Sequence, residues 1–404
     1  MNKNIKELLF LHFLNDGFRT TYLLILPFIA KDLFLNYTQS GFLGSTQSLV
    51  ATFLAVPSGF IASKIGGYKL ITSIIVIYSF GFLSIGLSPN LTFLIFAYLL
   101  GAVGFGMFHT ASFVMIAKMS NKTNVGRNMG DFTSIGEIGR VAIPPLAILA
   151  VSIIGWRQTM ISASVAGFLM FIIFRFLIPR KDVYNFKNEK FKEENHKDFA
   201  KNLLKLFKIK KFVLTAIAAV LDSFASSPVY VFLPFLVLSK GLNSKELGII
   251  TAGLFMGSLF GKILLGRFSD RLGNKKVFIV SELSMAVVLI LVTLFPYFLP
   301  LLFFSFILGA FTKGTSPVIQ AMFSKLTHKD HYNKVYAVSE VSIALSSALT
   351  IILMGVIGDK YGIPAIFYTC AILAILAIIP VYLFSKSPPA LSLSLKEIEQ
   401  KEAY

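Results

Sequence analysis

Charge is scarce in this chain. Asp, Glu, Lys and Arg make up 14% of its 404 residues, against roughly 25% in soluble globular proteins. Acids are scarcest, 20 against 38 Lys and Arg, which leaves a formal net charge of +18. There is one cysteine, Cys370, and one tryptophan, Trp156. The lone thiol excludes an internal disulfide and any Cys-based metal cluster. The five histidines (His12, His109, His196, His328, His331) are mostly scattered, so neither a metal nor a cofactor is expected. These shortages exclude a soluble enzyme of ordinary surface, a disordered chain and a disulfide scaffold. What is abundant is apolar surface: 55% of residues, with a mean hydropathy of +0.74. Only lipid leaves so much apolar surface without penalty, so the chain reads as an all-α polytopic membrane protein.

A helical span takes about 20 apolar residues. Twelve fit: about 8–30, 40–63, 69–88, 91–117, 129–154 and 157–178, then 211–238, 244–268, 275–297, 299–323, 332–357 and 363–384. The breaks are turn-like, as at Ser88-Pro89-Asn90 and Pro296-Tyr297-Phe298-Leu299-Pro300. The first run is long enough to span and lacks a small-residue cleavage site, so it reads as a span and not a leader.

Most Lys and Arg fall on the side that holds both termini. The opposite loops hold five: Lys31, Arg157, Lys240, Lys245 and Lys360. The positive-inside rule therefore predicts both termini in the cytoplasm, across a bacterial inner membrane. Because the charge flanks spans, it does not predict a nucleic-acid partner. The stretch Arg180–Lys211 carries eleven Lys and Arg and five Asp and Glu. It reads as a linker, with an amphipathic surface helix near 197–211. The expected organisation is a six-helix bundle over 1–178, a basic cytoplasmic linker over 179–210, a second bundle over 211–384 and a cytoplasmic tail over 385–404.

The two halves repeat at an offset of about 207. Asp16-Gly-Phe-Arg-Thr-Thr with Leu26-Pro27-Phe28 corresponds to Asp222-Ser-Phe-Ala-Ser-Ser with Leu233-Pro234-Phe235. Gly59–Gly66 pairs with Gly266–Gly273, Lys118 with Lys325, and Gly155 with Gly362. Parallel six-span repeats around a midplane site are one solution to alternating access.

The loop after the second span reads Gly59-Phe-Ile-Ala-Ser63-Lys64-Ile-Gly66-Gly-Tyr-Lys69. Its partner reads Gly266-Arg-Phe-Ser-Asp270-Arg271-Leu-Gly273-Asn-Lys275-Lys276. Both resemble the G-x-x-x-D-R-x-G-x-K/R-K/R loop of the major facilitator superfamily. Ser63 replaces the usual Asp in the first copy. Gly358-Asp359-Lys360-Tyr-Gly362 and Gly155-Trp156-Arg157 resemble weaker signatures of that family. The resemblance implies a conformational latch at Gly59, Lys64, Gly66, Gly266, Asp270, Arg271 and Gly273. It also implies that spans 1, 4, 7 and 10 line a cavity, with 2, 5, 8 and 11 beside them and 3, 6, 9 and 12 outside. Within the superfamily, the first half is similar to the fosmidomycin-resistance-like exporters. It shares His12-Phe-Leu-Asn-Asp16, Leu26-Pro27, Phe108-His109 and Gly136-x-x-Gly139-x-x-x-x-Pro144. Thr110 stands where those exporters tend to have Pro, and Ile143 with Ala147-Ile148 departs from their helix 5 motif.

An ionisable side chain at mid-bilayer costs about 2.5–3.5 kcal/mol on insertion scales, so each is a functional candidate. Asp16 and Arg19 lie three apart on one face of span 1, with His12 one turn earlier. Glu137 and Arg140 repeat that spacing in span 5. His109, Asp222, Lys262, Lys313 and Glu340 fall on other cavity or flanking spans, and Glu282 on span 9 reads as structural. Asp16, Glu137 and Asp222 are the proton-coupling candidates, Asp16 first. Arg19, His109, Arg140, Lys313 and Glu340 are the substrate-cavity candidates. A substrate anion that took over an Arg would release its acid to take up a proton. Gly101-x-x-Gly104-x-Gly106 looks like a nucleotide loop, but it follows no strand, and close helix packing explains it.

The leading expectation is a monomeric, proton-coupled secondary transporter exporting a small organic molecule. The alternative is proton-coupled uptake of an organic anion or metal-chelate. A transporter-like sensor would need a soluble domain that the linker and tail are too short to supply. With no nucleophile–base motif or phosphate loop, an enzyme is not expected.

Overall fold

The computed structural model describes residues 3–120, 124–177, 209–326 and 332–385, and every regular element among them is helical. Most of the expected linker and nearly all of the tail lie outside the described residues, as do the surroundings of Gly59 and the side chains of Ser63 and Lys118.

The first span divides into α1 (Lys3–Leu24) and α2 (Leu26–Asp32) at Ile25. Pro27 sits in the first turn of α2, where its missing N–H leaves no helical bond unmade. Next come α3 (Tyr37–Ile65), α4 (Gly67–Gly86), α5 (Leu91–Met119) and α6 (Val125–Ile172), which runs into a π turn over Ile173–Leu177. The second half holds α7 (Lys210–Ser239), α8 (Ser244–Leu272), α9 (Asn274–Leu294), α10 (Phe298–Ser324), α11 (Tyr332–Tyr361) and α12 (Ile363–Ser385). Nine stretches among the described residues are long and apolar enough to cross a membrane.

One of these, Arg127–Phe176, has 50 residues, about 75 Å of helix against a hydrocarbon core of about 30 Å. It doubles back at Gly155, whose φ of 79° and ψ of 164° are not helical. Residues before Gly155 run alongside α1, with Gly136 against His12 and Gly139 against Phe13. Residues after it run antiparallel to α4: Arg157 reaches Gly86, Gly167 faces Ser79, and Tyr68 reaches Phe174. The expected fifth and sixth spans are therefore both here, joined through one glycine.

The repeat is visible in the backbone. Gly66 and Gly273 have φ of 85° and 86°, and Gly155 and Gly362 have 79° and 84°. Both pairs are 207 residues apart, and each glycine supplies a left-handed turn that other residues rarely adopt. In the second-half loop, Ser269 and Lys325 both donate to Asn274 Oδ1 at 3.0 Å, tying α8 and α10 to the start of α9. Asp270 and Arg271 are exposed at the end of α8.

Small residues bring helices close. Gly101 and Gly104 on α5 face Gly81 and Tyr78 on α4, so the Gly101–Gly106 run is a packing feature. A Cβ on Gly257 or Gly261 would collide with the α10 backbone. The halves meet along α3 with α11 and α6 with α8. At the end distal to the termini, the Asp359 carboxylate accepts from Tyr37 N at 2.7 Å, Thr38 N at 3.0 Å and Thr38 Oγ1 at 2.5 Å. A carboxylate from α11 thus caps the open N–H groups of α3. Trp156 is buried, with the Arg157 guanidinium 4.3 Å from its ring centroid.

Candidate functional site

The centre of the molecule collects ionisable side chains that the sequence spreads over 250 residues. It begins with glycines. A Cβ on Gly136 would strike the His12 ring, and one on Gly139 the Phe13 backbone. With glycine at both, α6 lies hard against α1, and Arg140 Nη2 reaches Asp16 Oδ2 at 2.7 Å. Arg140 Nη1 bonds Glu137 Oε1 at 3.0 Å, one turn back on its own helix. Lys262 on α8 reaches the same Glu137 oxygen at 2.5 Å. Asp16, Arg140, Glu137 and Lys262 thus form one chain of charge from the first half to the second.

Asp16 is almost fully buried, at 1% exposure, and holds other partners. Asn15 Nδ2 donates to its Oδ1 at 3.1 Å. His109 Nε2 lies 3.2 Å from Oδ1, and His12 Nε2 lies 3.3 Å from Oδ2. His12 is clamped: its ring stacks on Phe132 at 3.8 Å between centroids, and Nδ1 lies 2.7 Å from Phe132 O. A carbonyl only accepts, so Nδ1 carries a hydrogen. A neutral His12 would then turn a bare Nε2 toward a carboxylate oxygen. His12 Nε2 has no hydrogen-bond partner among the described residues.

His12, Asp16 and His109 present their donor atoms within 4.8 Å of one another, a set suited in type to a transition metal. Two arginines crowd it: Arg140 holds Asp16, and Arg19 Nη1 lies 3.4 Å from His109 Nε2. With guanidinium charge already in place a dication fits poorly.

Beside this network lies a cavity of about 350 Å³. The first half contributes Arg19, Thr20, Gln47, Ser48 and Arg140; the second contributes Ser227, Tyr230, Ser258, Lys313, Glu340 and Ser347. Arg19 is held by Gln47, which accepts from its Nε at 3.3 Å and donates to its backbone carbonyl at 3.1 Å. Lys313 Nζ lies 5.2 Å from the Tyr230 ring centroid, and Tyr230 OH is 2.7 Å from Thr312 Oγ1. Among the described residues, neither Arg19 nor Lys313 has a carboxylate oxygen within 4 Å. The lining carboxylate Glu340 accepts from Gln320 at 2.9 Å. The cavity wall therefore offers more positive charge than it neutralises.

Five sequence candidates, Asp16, Arg19, His109, Glu137 and Arg140, meet in one network, and Lys313 and Glu340 line the adjoining cavity. Asp222 is elsewhere, hydrogen-bonded by Thr315 at 2.8 Å. The described latch residues, among them Lys64, Gly266, Asp270 and Arg271, are outside the cavity lining. Sequence reasoning lists Lys262 among the membrane charges without giving it a specific role, and assigns none to Gln47 or His12. Only the cost of a charge inside the membrane marks Lys262 in the sequence.

Three comparisons bear on this geometry. A family model described as Major Facilitator Superfamily matches residues 8–243 and 215–403. The multi-drug resistance efflux pump PmrA of Streptococcus pneumoniae is 21% identical over 380 residues, 91% of this chain and 92% of that protein. The minor myo-inositol transporter IolF of Bacillus subtilis is 26% identical over 242 residues, spanning 57% of this chain but only 55% of that protein. Among solved structures, a bacterial homolog of the human lysosomal transporter Spinster, inward-facing and unoccupied, superposes with a TM-score of 0.79. It covers 95% of this chain and 98% of its own at 15% identity. The nucleoside transporter NupG superposes at 0.79 with 14% identity, covering 96% of this chain and 100% of its own.

Proposed function

The chain belongs to the Major Facilitator Superfamily, and on that premise we propose that it is a proton-coupled secondary transporter of a small organic anion. It works by alternating access, as a monomer in a bacterial inner membrane with both termini in the cytoplasm. The observation that carries this reading is the double role of Arg140, which lines the cavity and also holds Asp16 and Glu137.

An anion entering the cavity meets Arg19, Lys313 and Arg140. Its pairing with Arg140 competes with Asp16 and Glu137 for the same guanidinium. A buried carboxylate that loses its cation holds a proton more tightly, because desolvation penalises the charged form. Anion binding thus favours proton binding, and by linkage proton binding favours the anion. Two ligands that help each other bind travel together. The coupling is symport, and an inward proton gradient drives uptake. This favours the second of the two sequence-based expectations over export.

Antiport efflux is the other reading. It is favoured by the likeness over most of the chain to a protein named as a multi-drug efflux pump, and it requires proton and substrate to exclude each other. Calorimetry on the purified transporter separates the two. A panel of monocarboxylates, dicarboxylates, sulfonates and phosphate monoesters is titrated in two buffers of different ionisation enthalpy. Symport predicts net proton uptake on binding. Net release supports antiport, and binding only by organic cations or neutral compounds from a control panel refutes the anion reading.

A further inference from the structure

The second half contains a buried acid pair outside the network just described. Asp222 on α7 and Glu282 on α9 are 7% and 0% exposed, and their carboxyls lie within hydrogen-bonding reach of each other. Thr315 Oγ1 donates to Asp222 Oδ1 at 2.8 Å. Both Glu282 oxygens are buried with no donor among the described residues. The polar group that Glu282 faces is Asp222, another acceptor unless one of the two is protonated.

No Lys, Arg or His nitrogen among the described residues lies within 4 Å of either carboxyl. The surrounding charged and titratable groups are few. Lys313 on α10 acts on Asp222 at longer range. Cys370 on α12 has its thiol 3.9 Å from the Phe224 carbonyl of α7. Two ionised carboxylates in contact, away from water, would repel each other and both lose hydration. One proton shared between them would remove that repulsion.

Sequence symmetry argues against a mere packing role. At the repeat offset of 207, Glu282 corresponds to Ile75 on α4, which is 1% exposed. Packing at this point in the fold is met by an aliphatic side chain in the other half. Asp222 corresponds to Asp16, the hub of the first-half network, at an offset of 206, because one residue is inserted further along the second copy. Asp222 is also the more exposed of the pair, and it lies within the field of Lys313, which lines the cavity.

We propose that Asp222 and Glu282 form a second proton-binding site, which loads and releases one proton through Asp222 during the transport cycle. The proton leaves a carboxyl oxygen for cavity water and leaves a carboxylate behind; no other bond changes. Conformational exposure of Asp222 gates this step, and the field of Lys313 favours release. This goes beyond the anion reading and does not depend on which substrate is carried.

The test is infrared difference spectroscopy on the purified, full-length protein in lipid nanodiscs, stepped in pH without any organic substrate. Wild type is expected to show a protonated-carboxyl C=O band that disappears on the alkaline step. In Glu282→Gln that band is lost. In Asp222→Asn it shifts in frequency and no longer follows the same step. Glu282→Ile, which copies the first-half residue, serves as a folding control and is expected to lose the band while retaining helical content. In proteoliposomes carrying a transported anion, Glu282→Gln is expected to lose one proton per anion from the flux ratio.

A band that stays unchanged at every pH where the protein remains folded would overturn the proposal, because the proton would then be structural. So would a band unaffected by Glu282→Gln, or one removed by sodium at constant pH, which would make this a sodium site. Failure of the anion panel would leave the infrared result standing, so the two readings can fail separately.

Discussion

Glu137 of α6 and Lys262 of α8 meet at 2.5 Å, and through this pair the first-half charge network reaches the second half. Alternating access requires the halves to separate and rejoin, so a part-buried ion pair across their boundary belongs to one state of the cycle. Its strength is set by competition, because Arg140 pulls on the same Glu137 oxygen.

The first prediction concerns that pair. Lys262→Met leaves Glu137 held by Arg140 alone, while Glu137→Gln leaves Lys262 without its carboxylate. Each single variant is expected to lower thermal stability in detergent, and the double variant less than their sum. The coupling energy should be about 0.5–3 kcal/mol for residues in contact. Thermal melts of the four proteins give the cycle directly.

Arg140 is the second. Arg140→Met leaves Asp16 and Glu137 without the guanidinium they share. Losing the charged partner of a desolvated ion pair costs about 2–5 kcal/mol of affinity, so anion binding should weaken by on the order of a hundredfold or more, and proton-coupled flux should fall with it. Arg140→Lys keeps the charge but offers a point donor in place of a fork. It should recover part of the flux, by roughly tenfold over Met. Titration and flux on the same preparations check both values.

The third concerns the glycines behind the site. A Cβ at position 139 would enter the Phe13 backbone, so Gly139→Ala forces α1 and α6 apart. Overpacking of this kind costs about 1–3 kcal/mol, and it should lengthen the Asp16–Arg140 contact. Weaker anion binding with helical content intact is the expected result, measured by titration and circular dichroism.

The fourth lies at the distal end. Asp359 caps the start of α3 from α11. Removing a capping side chain costs about 0.5–2 kcal/mol, here lost from the state in which these helices touch. Asp359→Ala should raise the population open at that end by about 2- to 30-fold. In a Cys370→Ala background, a cysteine in place of Gln47 should then react faster with a membrane-impermeant thiol reagent applied at the side opposite the termini.

Much of the fold is legible in the residues alone. Composition, charge asymmetry and the 207-residue repeat point to an all-helical membrane protein of two related halves. The left-handed glycines at 66, 155, 273 and 362 fall where the repeat places them. The site is legible only in part. Asp16 with Arg19 and Glu137 with Arg140 stand out because three-residue spacing puts charges on one helix face. Glu137 and Arg140 do pair along their own helix, but the other partners cross helices: Arg140 also serves Asp16, and Arg19 is held by Gln47. Such pairings depend on which faces meet, and a single sequence gives spacing along a helix but not contact between helices. Glu282 reads as a lone structural charge for the same reason, since Asp222 lies 60 residues earlier in the chain.

The most direct test is the sign of the lumenal pH change in proteoliposomes with a trapped dye. A binding anion from the calorimetric panel is added outside, with no initial pH gradient and with the membrane potential clamped. Symport through the Arg140 network predicts that the lumen acidifies as anion enters, and that Arg140→Met abolishes the change. Alkalinisation of the lumen on anion entry would mean that protons leave as substrate arrives, and would contradict the account.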